Sequence, residues 1–492
     1  MTLRFHNTLT GTVDDFVSQQ PGVATLYTCG PTVYDYLHVG NWSAYIYWDI
    51  LVRTLIANDY TINRVMNITD VGHLTSDADD GQDKLEKGAK REGKTAWQVA
   101  DFYGQDFLRG MSRMNLVMPQ HVTKATDFIP QQLDLVRRLK NRGVTYQIDD
   151  GIYFDTGKFP SYADFAHLDL ANLQAGARVD FNPQKRHASD FALWKFTPAG
   201  ETRDMEWSTP EDLLENNDKS SRATEGFPGW HLECSAMAMS ILGDTLDIHT
   251  GGIDHIPVHH TNEIAQSEAA TGVQFSRFWL HNNHLKVGGT KISKSLGNGY
   301  TLDDLEAKGY SLPSYRLFVL QSHYTTEGNF TFDNLTAAKN RLNNWRNVAA
   351  LRHQIHDTLR DDDDKATDDG AVSLYATSQA IVEALGNNLD TPRALMIIDE
   401  AFSRLGASST ARIHRHALIE LLETIDNTLG LELFQSTPDI TDDIKRLIIE
   451  RRQARENNDY PRSDAIRGQL AQSRIVIRDT SSGSVWQYSQ DA

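Results

Sequence analysis

Val23-Ala24-Thr25-Leu26-Tyr27-Thr28-Cys29-Gly30-Pro31-Thr32-Val33-Tyr34-Asp35 continues through Tyr36 and Leu37 into His38-Val39-Gly40-Asn41. A β-like run closes at Cys29, and a glycine-proline turn follows. Trp42–Asn58 then carries Ala44, Tyr47, Trp48, Leu51, Val52 and Leu55 at helical spacing. Ile62–Ile68 reads as a second strand. Strand, helix and strand in this order are a βαβ opening and predict a parallel sheet.

The turn between the first strand and its helix is suited to a phosphate. Gly40 lets a ligand approach the backbone, and a helix N-terminus favours negative charge. His38 and Asn41 are then donors to a triphosphate. Downstream, Lys291-Ile292-Ser293-Lys294-Ser295 lies between Gly288-Gly289 and Gly297, as a mobile loop would. Its two lysines suit the charge that develops on a leaving pyrophosphate.

The chain has only two cysteines, Cys29 and Cys234. His259 and Glu263, four apart, share one face of a helix. Two thiolates, an imidazole and a carboxylate form a four-ligand set for Zn²⁺. His249 and His255 compete for the imidazole position, whereas His260 is one step round the helix.

A length of 492 residues predicts two to four domains. No apolar run of about eighteen residues offers a membrane span, and Met1–His6 lacks a signal-peptide layout. The expected compartment is the cytoplasm, with reduced thiols. A net charge of −18 argues against sequence-independent DNA coating. The Asp361–Asp364 run reads as a solvated acidic loop.

Helices are expected over Thr95–Leu116, Ile129–Lys140, Gly229–Leu242 and Thr261–Ala270, and a strand over Leu246–His249. From Gly143 to Lys195 short alternating runs suggest an inserted, partly β segment. Phe196–Gly229 is polar and reads as a long loop. Beyond about residue 335 the pattern is helical, with Leu335, Ala338, Leu342, Trp345 and Leu351 on one face. Ser373–Leu385, Pro392–Leu405 and Arg412–Leu429 follow, Pro392 at a first turn. The tail reads as a basic helix and a short strand, Ile475-Val476-Ile477.

The chain resembles the cysteinyl-tRNA synthetases, a family of class I aminoacyl-tRNA synthetases, from Asn7-Thr8-Leu9 to Trp486. The resemblance lies in Cys29–Asp35, His38–Asn41, Asn67-Ile68-Thr69-Asp70, Asp190–Lys195, Pro228–Met237, Asp247–Glu263 and Lys291–Asn298. It implies Zn²⁺, one per chain, on Cys29, Cys234, His259 and Glu263. Lys294 becomes an ATP contact, joined in the catalytic set by His38, Asn41 and Lys291, with Gly40 also at the nucleotide. Thr69, Trp230, His231, His249 and Asp254 would shape the amino-acid pocket. The implied substrates are L-cysteine, ATP with Mg²⁺, and tRNA(Cys), and the chain is expected to be a monomer. Two departures from the family pattern fall at Val71–Thr75, where His73 could approach the site, and in the long Phe196–Phe227 stretch.

Between Ile444 and Arg478 nine basic residues face four acidic ones, a local balance of +5. Tyr460, Asp464, Asp479 and Trp486 could stack on or bond to unpaired bases. The resemblance implies anticodon contacts at Arg455, Tyr460, Asp464 and Asp479. The expected architecture is α/β: a Rossmann-like catalytic domain in two halves (1–135 and 206–285) around an inserted connective segment (136–205). A lysine-loop and stem-contact region (286–334), a helical bundle (335–435) and a small mixed α/β anticodon-binding module (436–492) follow. Two other readings share part of this pattern, a mycothiol-pathway ligase joining cysteine to an amino sugar and a non-catalytic tRNA-binding paralogue.

Overall fold

The computed structural model describes residues 2–72, 84–169, 182–198, 200–215, 225–293, 296–354, 368–407, 413–480 and 483–489. His73 and the Asp361–Asp364 run lie outside them. Five strands make the central sheet: β1 (Val23–Thr28), β2 (Thr61–Ile68), β3 (His121–Lys124), β4 (Leu246–Gly252) and β5 (Ser276–Asn282). All neighbours are parallel, in the order β5-β4-β1-β2-β3. The chain leaves β1 toward one edge and later returns to β4 on its other side. The crevice beyond the carboxyl ends of β1 and β4 is therefore the switch point at which open α/β sheets bind ligands.

α1 (Val39–Ala57) begins three residues before the expected Trp42 because His38 caps it. His38 Nδ1 accepts from the Asn41 amide at 3.3 Å, and Asn41 Oδ1 accepts from the His38 amide at 3.1 Å. This reciprocal capping satisfies two amides that the first turn leaves unpaired. Trp42, Ile46, Trp48, Ile50, Leu51 and Leu55 are buried around most of its circumference, so α1 is a core helix. α2 (Trp230–Leu242), α3 (Thr261–Thr271) and α4 (Leu312–Leu320) complete the elements that bear on the crevice.

The inserted segment is an antiparallel five-stranded sheet. Two of its strands, Trp207–Ser208 and Glu225–Pro228, come from the stretch expected to be a long loop. The sheet thus runs past the expected boundary at 205. Pro228 pairs opposite Trp194 and leads through Gly229 straight into α2.

The helical half contains Phe332–Ala349, Asp368–Gly386, Thr391–Ala407 and Arg415–Leu429. One buried polar knot fastens it to α1. Asp49 and Arg316, each 1% exposed in side chain, form an ion pair. Arg53 donates to Asp49 at 2.6 Å and to the carbonyls of Asp426 and Asn427 at 3.2 and 3.1 Å. The tail is richer than one helix and a strand: helices Asp442–Glu456 and Tyr460–Gln472 precede the hairpin Ile475–Thr480/Gly483–Tyr488. Among the described residues no helix is long and apolar enough to cross a membrane.

Candidate active site and metal centre

Cys29 follows the last residue of β1. Its loop is held down on the end of β2: Gly30 N donates to Asn67 Oδ1 at 2.7 Å and Thr69 N to Pro31 O at 3.0 Å. A side chain at Gly30 would put its Cβ 1.6 Å from the Asn67 carbonyl oxygen, so only glycine permits this approach. Asp70, buried beneath, accepts from the Thr126 amide and hydroxyl at 3.0 and 2.6 Å. Burial pushes its carboxyl up to about 6, against those two bonds.

Cys234 projects from α2. His259 closes a single π turn, Ile256–His260, and Glu263 lies in the first turn of α3. The ligand atoms of Cys29, Cys234, His259 and Glu263 all lie within 4.8 Å of one another, and all four residues are buried. Trp230 packs on His259 with ring centroids 4.6 Å apart.

The quartet's groups set one another's charge. Burial opposes ionisation of Glu263, but His249 and His259 outweigh it and hold the carboxyl down to about 2. Burial likewise works against protonated His259, yet Glu263 and Cys234 carry it up to about 10. Cys234 is the more acidic thiol because Cys29 donates to it, whereas burial pushes Cys29 up. Glu263 Oε1 is buried and lies 2.9 Å from His259 Nε2, so the two groups are held face to face as an ion pair. Two thiolates, an imidazole and a carboxylate whose ligand atoms converge within 4.8 Å fit Zn²⁺.

A second set, Cys29, His249, His260 and Glu263, meets the same distance limit. The cleft of about 910 Å³ separates the two: Cys29, Cys234 and His259 line it, but His249 and His260 do not. His249 Nε2 instead sits 2.9 Å from Glu263 Oε2, and His231 Nδ1 sits 3.0 Å from His259 Nδ1. Both histidines, expected in the amino-acid pocket, lie outside the cleft lining and against members of the quartet. Thr69, Trp230 and Asp254 do line the cleft. Thr69 also donates to Glu233 at 3.3 Å.

The same cleft reaches His38, Gly40, Asn41 and Lys291. The two nucleotide motifs meet directly. Val39 N donates to Tyr300 O at 2.8 Å, and His38 pairs with Thr301 in an antiparallel bridge. The space above Gly40 is taken by Ile292, whose Cδ1 is 2.7 Å from where a Cβ would stand. Because His38 Nδ1 accepts the capping bond, its proton resides on Nε2. Lys294 and Ser295 lie outside the described residues. Asn282–Lys286 also line the cleft, without any motif to mark them.

In the tail, Asp479 accepts from Arg451 at 3.0 and 2.9 Å, from Arg455 at 2.8 Å and from Ser484 at 2.6 Å. Those bonds, Arg451 first, hold its carboxyl below the usual range. Tyr460, at 57% exposure, and Asp464 face solvent. Trp486, expected as a stacking platform, is 2% exposed and belongs to the module's core with Ile466, Leu470 and Ile477.

The profile of the family described as "tRNA synthetases class I (C) catalytic domain" matches residues 15–340, and that of the "Cysteinyl-tRNA ligase anticodon binding domain" matches residues 437–486. A cysteine-tRNA ligase of Treponema denticola is 36% identical, with 99% of each chain covered. "Cysteine--tRNA ligase 1" of Burkholderia lata is 39% identical, covering 98% of this chain and 96% of its own. Among solved structures, the methionyl-tRNA synthetase of Mycobacterium tuberculosis in complex with methionyl-adenylate aligns with a TM-score of 0.58 at 16% identity. It covers 84% of this chain and 92% of that one, a likeness of fold. Neither the amino-sugar ligase nor the non-catalytic paralogue finds support in these matches. A Rossmann-ordered sheet with a thiol-rich centre at its switch point and an anticodon-binding domain at its tail agree with them: the chain belongs to the cysteine-tRNA ligases, class I aminoacyl-tRNA synthetases.

Proposed function

We propose that the chain joins L-cysteine to ATP as cysteinyl-adenylate, then passes the cysteinyl group to the 3′ end of tRNA(Cys). The substrate's thiol is read at the quartet Cys29, Cys234, His259 and Glu263. The observation that carries this reading is that one cleft is lined both by Cys29, Cys234 and His259 and by His38, Gly40, Asn41 and Lys291. A Zn²⁺ bound by the quartet supplies a soft Lewis acid that favours a thiolate over a neutral hydroxyl.

The protein's own groups position and stabilise. Thr69, Trp230 and Asp254 wall the amino-acid end, and His249 and His231 brace Glu263 and His259. The cysteine carboxylate attacks the α-phosphate and pyrophosphate leaves; His38, the Gly40 amide at the start of α1, Lys291 and Lys294 stabilise the charge. The terminal ribose hydroxyl then attacks the carbonyl carbon and AMP leaves. No side-chain nucleophile is required, because orientation and charge stabilisation carry the reaction.

The division of labour follows the chain. The core of 1–135 and 206–285 forms the adenylate. The 286–334 region carries the lysine loop, 335–435 spaces the module, and 436–492 reads the anticodon through Arg455, Tyr460 and Asp464, with Asp479 orienting Arg455. The enzyme works as a cytoplasmic monomer.

The test is cysteine-dependent ATP–pyrophosphate exchange and tRNA charging, before and after chelation. Both activities fall together on chelation and return with Zn²⁺. Exchange that survives complete removal of metal defeats the reading. A pocket that requires a specific polar bond rejects the analogue lacking it by about 10⁴–10⁵. Serine-dependent exchange comparable to that with cysteine would count equally against it.

A further inference from the structure

Behind Cys29 lies a string of polar groups that neither the ligand set nor the nucleotide motifs use. Cys29 Sγ is 3.5 Å from His260 Nε2. His260 Nδ1 is 2.7 Å from His281 Nε2, and His281 Nδ1 is 2.7 Å from Thr8 Oγ1. His260 is 0% and His281 5% exposed. Thr8 is half-buried, its own amide bonded to Trp279 O on β5 at 2.8 Å. His281 lies beside Gly251 in the β4–β5 register. A Cβ at Gly251 would stand 2.6 Å from His260 Cε1, so the bare strand makes room for this imidazole.

Taking the ligand set assigned above, we propose that Thr8, His281 and His260 form a directed hydrogen-bond chain that positions Cys29 as a metal ligand without His260 itself binding the metal. A thiolate only accepts, so His260 must carry its proton on Nε2 and donate it to Cys29. Its Nδ1 is then bare and accepts from His281 Nε2–H. The bare His281 Nδ1 accepts in turn from the Thr8 hydroxyl. Each imidazole carries one proton and each bond has one donor, so the string has a single consistent direction. Run in reverse, it would need Cys29 to donate S–H, which a metal-bound cysteine cannot do. Outer partners of this kind fix a ligand's orientation and raise metal affinity.

The measurement is zinc affinity of the full-length protein, by competition with a chromophoric chelator, with cobalt absorption as the check on coordination. His260→Leu weakens zinc by about 10–100-fold, as loss of such partners does, while cobalt at saturation keeps its four-coordinate spectrum. His260→Gln, whose amide can still donate near the Nε2 position, recovers part of the loss. Thr8→Val, at the half-exposed end of the string, weakens zinc by about fivefold, the worth of one neutral hydrogen bond. Affinity within twofold of the parent in both Thr8→Val and His260→Leu overturns the proposal. If His260→Leu does not fold, Thr8→Val alone decides. Loss of the four-coordinate cobalt spectrum in His260→Leu also overturns it, since His260 would then be a ligand. A parent protein that binds no zinc sinks the metal reading itself, a result distinct from either of those.

Discussion

Replacing Asp49 by Asn removes one negative charge from the knot between α1 and the helical half. Asp49 Oδ1 accepts from the Val117 amide at 2.7 Å, while Oδ2 takes Arg53 at 2.6 Å and the buried Arg316. An asparagine must turn its NH₂ toward one of these donors, so at least one bond becomes a clash of donors. Arg316 keeps only the carbonyls of Leu429 and Met114, at 2.5 and 3.2 Å. Stranding a buried charge in this way costs about 3–5 kcal/mol. Arg53 is nearer the rim, at 11% exposure, and retains the Asn115, Asp426 and Asn427 carbonyls, so its share is about 1 kcal/mol or less.

A unit of about 150–250 residues shifts by about 2–4 °C per kcal/mol, so Tm should fall by about 6–20 °C at neutral pH if the core and its helical neighbour melt together. The pH dependence has a definite sign. Burial alone would raise the Asp49 carboxyl, but Arg316 and Arg53 outweigh it and hold it below the usual range. A depressed carboxylate stabilises above its unfolded value of about 3.9, and that stability drains away as pH falls through the folded value. The gap between parent and Asp49→Asn is therefore full at about pH 7 and narrows below about pH 4. The assay is urea unfolding followed by circular dichroism across that range. A gap under about 1 kcal/mol at neutral pH, or one that widens on acidification, would mean that Asp49 does not neutralise Arg316 in the folded chain.

Two further substitutions separate the parts. Gly40→Ala should lower the rate of pyrophosphate exchange by about 10²-fold, because its methyl displaces Ile292 or the His38 ring. Thermal unfolding should show Tm unchanged or raised, since alanine favours the helix; unaltered exchange would contradict the contact. Asp464→Ala, on the exposed face of the tail, should raise the KM for tRNA by roughly tenfold, a loss of about 1.4 kcal/mol, while exchange is unchanged. Loss of both activities would contradict the division between core and tail.

The opening of the fold was legible because its local and tertiary preferences agree. Val23–Thr28 and Thr61–Ile68 carry β-branched and apolar residues and bury most of both faces, and His38 caps the helix between them. The convergence of Cys29, Cys234, His259 and Glu263 was legible for a different reason. Two cysteines in the whole chain, with His259 and Glu263 one helical turn apart, leave few combinations. What escaped was set by contacts distant in sequence. Trp207–Ser208 is two residues long and flanked by polar turns, so only pairing with Glu225–Gly226 makes it a strand. Trp230 and His231 are adjacent on α2 and so point about 100° apart. The tryptophan meets the cleft and the histidine the interior. Trp486 sits opposite Ile477 in the tail hairpin, on the face that covers the core, and its period-2 pattern fits either face equally well. Thr8 and His281 carry no spacing signal, being 273 residues apart.

Selection of cysteine depends on whether the quartet at the end of β1 holds a cation that the substrate's sulfur reaches. Titrating L-cysteine into the cobalt-substituted enzyme tests it most directly, because a third sulfur on the metal adds thiolate-to-cobalt charge-transfer absorption. This absorption should rise to saturation with one cysteine per chain, and serine at the same concentrations should leave the spectrum unchanged. A spectrum indifferent to cysteine, in protein that carries cobalt at Cys29 and Cys234 and still forms the adenylate, would contradict it.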